Sequence, residues 1–186
     1  MPKNNIILTF LALVVLYGCA SYKAQYKDKD QAIQALPNKP VHKTFYLIGD
    51  AGKSPINGYS KGLTAFKNFI SDKNTKEDFA VFLGDNIYPD GLPDKDDSDY
   101  PEAKNNLKAQ VNSLDNFKGD VLFIPGNHDW YADGLKGVKR EEKFIEDALG
   151  KNSFQPENGC PLEVIEVSDK VEMIVIDTQW YLENWN

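Results

Sequence analysis

Histidine is nearly absent from this chain, with two in 186 residues, His42 and His128. That is too few for a self-contained multi-histidine metal centre. Cysteine is equally scarce: Cys19 and Cys160 are the whole supply, which excludes a disulfide framework and a Cys-rich zinc module. Positive charge is in deficit, because 21 Lys and Arg face 28 Asp and Glu for a net −7. Sequence-independent nucleic-acid binding needs surplus cations to neutralise phosphates, so no nucleic-acid partner is expected. The longest apolar run falls short of the roughly 17–25 residues that span a bilayer. Glycine (13) and proline (10) are near ordinary usage and 41% of residues are hydrophobic. That balance argues against a collagen-like, low-complexity or globally disordered chain, and the length suggests one domain.

The N-terminus does not read as part of that domain. Lys3 lies in a polar start, and Ile6–Tyr17 is apolar except for Thr9. This matches the charged and hydrophobic regions of a secretory signal peptide. The run ends in Leu16-Tyr17-Gly18-Cys19, followed by Ala20-Ser21. The alternative is an ordinary signal peptide with an incidental cysteine. The segment resembles the lipobox of bacterial lipoproteins, which implies cleavage before Cys19 and lipidation of that residue. The implied partner is a membrane, held through acyl chains rather than a span. The absence of acidic residues directly after Cys19 favours the outer membrane. Cleavage removes Lys3 and no acid, so the remainder carries 20 − 28 = −8. Residues 19–43, polar and closed by Pro37 and Pro40, read as a flexible tether, with His42 solvated within it.

From Thr44 onward, strand and helix patterns alternate. Thr44–Ile48, Phe79–Leu83 and Val121–Ile124 are short apolar runs of the kind that form strands buried on both faces. Between and after them, three sets of apolar residues recur at helical spacing. They are Leu63, Phe66, Phe69 and Ile70, then Ala103, Leu107, Val111 and Leu114, then Phe144, Ile145, Ala148 and Leu149. Pro101 suits the first turn of the second helix. The pattern predicts an α/β fold with parallel βαβ units. Leu162–Val167 and Val171–Ile176, separated by Ser168-Asp169-Lys170, predict a terminal antiparallel hairpin.

Each of the three leading strands ends in a glycine-flanked turn with an oxygen ligand: Asp50, Asp85 and Asn127. Ligands of open α/β sheets bind beyond the carboxyl ends of the strands. Strands about 4.8 Å apart would bring these donors together, where hard oxygens can hold one or two metal ions. One such Asp alone is more commonly a turn or helix cap; three in succession weaken that explanation. Tyr88 is either a ligand phenol or a turn aromatic. Trp130 and Tyr131 either line a pocket or pack in the core.

Three ordered blocks, Gly49-Asp50-Ala51-Gly52, Gly84-Asp85-Asn86-Ile87-Tyr88 and Gly126-Asn127-His128-Asp129, resemble those of the calcineurin-like metallophosphoesterases. The variant is the purple-acid-phosphatase-like one, in which Gly52 stands where the common form has histidine. The resemblance covers Thr44 to about Trp180. It implies a β-sandwich flanked by helices, of which residues 44–186 would form the N-terminal half. It implies that Asp50 and Tyr88 hold a first metal, Asp85 bridges two, and Asn127 holds the second. His128 would contact the phosphate or protonate the leaving group, with Asp129 setting its tautomer. The implied cofactors are two metal ions, Fe(III) with Fe(II), Zn(II) or Mn(II). The implied activity is hydrolysis of a phosphate-ester substrate, an acid-phosphatase-like phosphomonoesterase acting through a metal-bridged hydroxide.

The same resemblance marks a gap. The family completes its site with later histidine blocks, and no His follows His128. The expectation is therefore an N-terminal part of a larger catalytic domain, inactive by itself, in which Cys160 either pairs with a cysteine beyond Asn186 or stays buried and free. A different class also fits: a non-catalytic envelope lipoprotein that keeps the fold. Two other motifs fail on their own chemistry. Gly52-Lys53-Ser54 resembles the end of a P-loop, but Leu47 occupies the place of its first glycine. Asp94–Asp99 resembles a calcium loop but lacks the sixth-position glycine, and Asn105 replaces its bidentate glutamate. It reads as a solvated rim.

Overall fold

The computed structural model describes residues 39–71 and 74–185. The segment expected to be a signal peptide, Cys19 and most of the expected tether lie outside the described residues. All elements below belong to the unit Val41–Asn186. Strands β1 (Phe45–Ile48), β2 (Phe79–Phe82) and β3 (Asp120–Phe123) form a parallel sheet in the order β1-β2-β3. Its register aligns Ile48 with Phe82 and Phe82 with Phe123. Every residue of β2 is buried, as expected of a central strand covered on both faces. Beyond β3, Phe123 bridges in parallel to Phe154, its N–H donating to Ser153 and its carbonyl accepting from Gln155. That strap covers the β3 edge.

Helices α1 (Lys61–Ser71), α2 (Tyr100–Asn112) and α3 (Leu135–Leu149) pack on one face of the sheet. Ser60 starts α1, its Oγ accepting the N–H of Leu63 at 3.1 Å, the capping bond that such a residue supplies. Pro101 lies in the first turn of α2. Gly150, left-handed at φ 68°, ends α3, a conformation that costs glycine little. Leu63, Phe66, Ile70, Leu107, Val138 and Ile145 meet Tyr46, Ala80, Phe82 and Phe123 in one core. The Phe82 and Phe123 rings stack with centroids 4.1 Å apart. Each such side chain, fully buried, is worth roughly 1.5–3 kcal/mol.

The helix expectations need correction at several positions. Phe69 is 70% exposed, meeting only the edge of Tyr46, so the buried stripe of α1 is Leu63, Phe66 and Ile70. Leu114 is buried but lies past the end of α2. Helix α3 begins at Leu135, well before its expected apolar residues, and Ala148 faces solvent. The misreading arose because two buried residues on that helix are Glu141 and Glu142, which an apolar-spacing rule passes over.

The hairpin is present: β4 (Leu162–Ser168) pairs antiparallel with β5 (Val171–Ile176), with an irregularity between Glu166 and Ser168. It forms a sheet of its own. Val167 and Val175 pack with Phe79, Val81 and Leu122 on the sheet face opposite the helices. This mixed α/β arrangement of a parallel sheet, three helices and a separate hairpin is the one the sequence pattern predicts.

Candidate metal centre

The three strand-end turns converge as their spacing predicted. Backbone bonds lock them: Asp50 N–H donates to Gly84 O at 3.2 Å, and Tyr88 N–H to Gly52 O at 2.9 Å. The ligand positions themselves are unusual. Asp50 and Asp85 have φ of 54° and 53°, a left-handed region that Asp tolerates better than most side chains. The close approach also explains Gly52. A Cβ there would lie 2.6 Å from Ile87 N and 2.7 Å from Asn86 C, so no side chain, histidine included, fits that position in this arrangement.

Asp50, Asp85 and Tyr88 meet directly. The Tyr88 hydroxyl lies 2.5 Å from Asp50 Oδ1 and 2.7 Å from Asp85 Oδ2. One hydroxyl proton cannot serve two carboxylates together. The Asp50 hydrogen bond, burial and the Asp85 carboxylate therefore push the Tyr88 phenol far above its ordinary range. The other oxygen of Asp85 accepts the His128 N–H at 3.2 Å. The Tyr88 and His128 rings are 4.5 Å apart. Asn127 sits beside this cluster in sequence, but its amide nitrogen donates to the Tyr131 hydroxyl at 2.6 Å. Its oxygen is thus the atom through which it could ligate.

These donors suit a cation. Two carboxylates and a phenol oxygen are hard ligands of the kind that hold Fe(III), Mn(II) or Zn(II), and their mutual repulsion is what a cation would relieve. Among the described residues, however, no group of three or more His, Cys, Asp or Glu forms a metal cage. The cluster depends on Tyr88 and Asn127 to exceed two protein ligands.

Asp129 has a different role from the one the resemblance implied. Its carboxylate accepts the N–H groups of Gly126 at 2.7 Å, Ile87 at 3.0 Å and Asn86 at 3.2 Å. The His128 Nδ1 is instead held by the Pro89 carbonyl. Asp129 is fully buried and ties the second motif turn to the third, so it is not free to orient the imidazole.

Sequence reasoning missed the layer beneath. Asn86, Asn106, Gln110 and Glu141 are all fully buried. Asn86 Nδ2 donates to Ile124 O at 2.9 Å and to Glu141 Oε1 at 3.0 Å. Gln110 Nε2 donates to Asn86 O at 2.7 Å, and Asn106 Oδ1 accepts from Ser54 N at 3.0 Å. Burial pushes both the Asp129 and Glu141 carboxyls up. At Asp129 three N–H donors oppose that rise, while at Glu141 the Asp129 charge adds to it. One signal was available: Glu141 falls between Val138 and Ile145 on the buried stripe of α3, where an acid requires a partner.

The aromatic alternatives divide. Trp130 is core, 2% exposed, with Nε1 donating to Asp177 Oδ2 at 2.9 Å. Tyr131 is exposed and lines a cavity of about 420 Å³ together with Tyr88, Asp90, Asp94 and Glu102. Asp94–Asp99 is solvent-exposed at that rim, and His42 is exposed as well.

Residues 43–174 match the calcineurin-like phosphoesterase family. The chain belongs to that family. It is also 27% identical over 132 residues to purple acid phosphatase 7 of Arabidopsis thaliana, an alignment covering 68% of this chain and 35% of the relative. This calcineurin-like phosphoesterase chain thus spans about a third of the length of the curated relative it matches. The matched range contains all three motif turns and ends within β5.

Proposed function

We propose that this calcineurin-like phosphoesterase hydrolyses phosphate monoesters at a two-metal centre built on Asp50, Asp85, Tyr88 and Asn127. The observation that carries the reading is the Tyr88 hydroxyl wedged between the Asp50 and Asp85 carboxylates. The likeness to a purple acid phosphatase supports the phosphatase reading over other phosphoesterases. Fe(III) with Fe(II), Zn(II) or Mn(II) suits the donor set. Bound there, the metal pair would supply Lewis acidity, neutralising phosphoryl charge and lowering the pKa of a water.

The chain's own residues have distinct tasks. Asp85 presents one oxygen to Tyr88 and the other to the His128 N–H, which places it centrally enough to bridge. His128, held at Nδ1 by Pro89, offers Nε2 to a substrate oxygen. A protonated imidazole can give its proton to a departing alkoxide. The Asp90–Asp99 rim and Tyr131 flank the approach. We also propose that Cys19 carries a lipid anchor in the bacterial cell envelope, in the outer membrane. That proposal rests on the lipobox-like segment Leu16–Cys19.

The test is a Mn(II) titration of the protein lacking residues 1–18, followed by an aryl phosphate assay with each metal. Binding that Asp85→Asn abolishes is the expected result. A wild-type protein that binds no Mn(II), Fe or Zn overturns the metal centre. Metal binding without turnover favours the non-catalytic binding lipoprotein.

A further inference from the structure

Glu141 is a buried carboxyl that reaches the second motif turn from the helix behind it. It is fully buried on α3, two turns into a helix that contributes no side chain to the candidate metal centre. One oxygen accepts the Asn86 side-chain N–H at 3.0 Å, and the other has no hydrogen-bond partner among the described residues. Asn86 is the residue directly after the bridging Asp85. Asp129 grips the backbone of Asn86, Ile87 and Gly126. Glu141 therefore fixes the side chain of the residue next to Asp85, while Asp129 holds the backbone of the same turn. Nothing in helix stability calls for an acid there, since a buried carboxyl costs desolvation.

We propose that Glu141 is a positioning residue for the metal centre: it presets the Asp85–Tyr88 turn so that the carboxylates of Asp50 and Asp85 converge. This rests on the metal-centre reading above. Asn86 Oδ1 has no hydrogen-bond partner among the described residues, so its amide is oriented from the donor side, by Glu141 and Ile124 O. Residues that orient metal ligands from behind typically cost about 10–100-fold in metal affinity when removed.

The experiment compares wild type, Glu141→Gln and Glu141→Met by amide hydrogen exchange and by Mn(II) titration. Gln keeps an oxygen for the Asn86 side-chain N–H, while Met keeps only volume. In the Met variant the amides of Asn86, Ile87 and Gly126 are expected to exchange about tenfold faster, with Mn(II) bound about tenfold more weakly. Amides of β2 stay at wild-type rates, and the Gln variant stays at wild-type rates and affinity throughout. Turn amides that do not move in the Met variant overturn the role. So do turn and β2 amides loosening by the same factor, the mark of a merely structural residue, or loosened turns with unchanged Mn(II) affinity. Loss of protection in the Gln variant also overturns it. If the Met variant does not fold, Glu141→Asp, which retracts the carboxyl by one methylene, is read in its place with the same outcomes. A wild-type protein with a protected turn but no Mn(II) binding overturns the metal centre, and the positioning role with it. An unmoved turn in a metal-binding protein overturns Glu141 alone.

Discussion

Tyr88 is the residue in which the chemistry of the site is concentrated. Its hydroxyl donates into a pair of carboxylates, so without metal its ionisation is opposed from both sides. The sign follows from linkage: a phenol whose folded pKa is raised stabilises the fold below its unfolded pKa of about 10. That stability is lost as pH rises through the folded value. Alkaline difference absorbance of metal-free protein should show one phenol titrating later than ordinary tyrosines. Tyr88→Phe should remove that late step and no other. Added Fe(III) should reverse the effect, giving a visible phenolate-to-metal band that the Phe variant lacks. A band that survives in Tyr88→Phe removes Tyr88 from the ligand set. The neighbouring imidazole is a case where position was legible and contact was not. His128 was evident from Gly126-Asn127-His128-Asp129, but its Pro89 partner comes from a loop whose path no local pattern encodes.

The turns after β1, β2 and β3 are the elements that assemble the site, and their tolerance is narrow. Gly52→Ala would drive a methyl into the backbone of Asn86–Ile87. It should cost about 1–3 kcal/mol, read as a lowered urea midpoint, and should weaken Mn(II) binding at the same time. A stable, fully metal-binding Gly52→Ala protein would mean that the two turns do not pack as described. Element type was largely legible because the three apolar runs are short, continuous and bounded by glycine. The parallel order follows from the helices between them. What escaped was polar: Asn106 and Gln110 on α2 and Glu141 on α3 lie at buried helix phases. A spacing rule built on hydrophobic residues assigns such positions to solvent. Their partners are 24 to 55 residues away, so no window of local sequence contains both ends of the bond.

At the scale of the whole molecule the two faces of the parallel sheet differ. One is sealed by α1, α2 and α3, while the other holds a small cluster with the hairpin. Leu47, Ile174 and Ile176 stay 58%, 62% and 50% exposed. The proposed anchor acts at this scale too. Expressed with its leader in a bacterium, the protein should take up labelled fatty acid and partition into a detergent phase. Cys19→Ala should remain aqueous and unlabelled. A wild-type protein without added lipid mass overturns the anchor. The aligned register of Ile48, Phe82 and Phe123 sets one more property. Counted from that row, Asp50, Asp85 and Asn127 lie two, three and four residues out. The donors climb like steps beyond a level platform, with the core below and the chemistry above. Insertion or deletion of a single residue in any one turn would slide one donor off its step without touching the row beneath. Such a length change would dismantle the proposed metal centre in one event and still leave an intact, well-packed sheet.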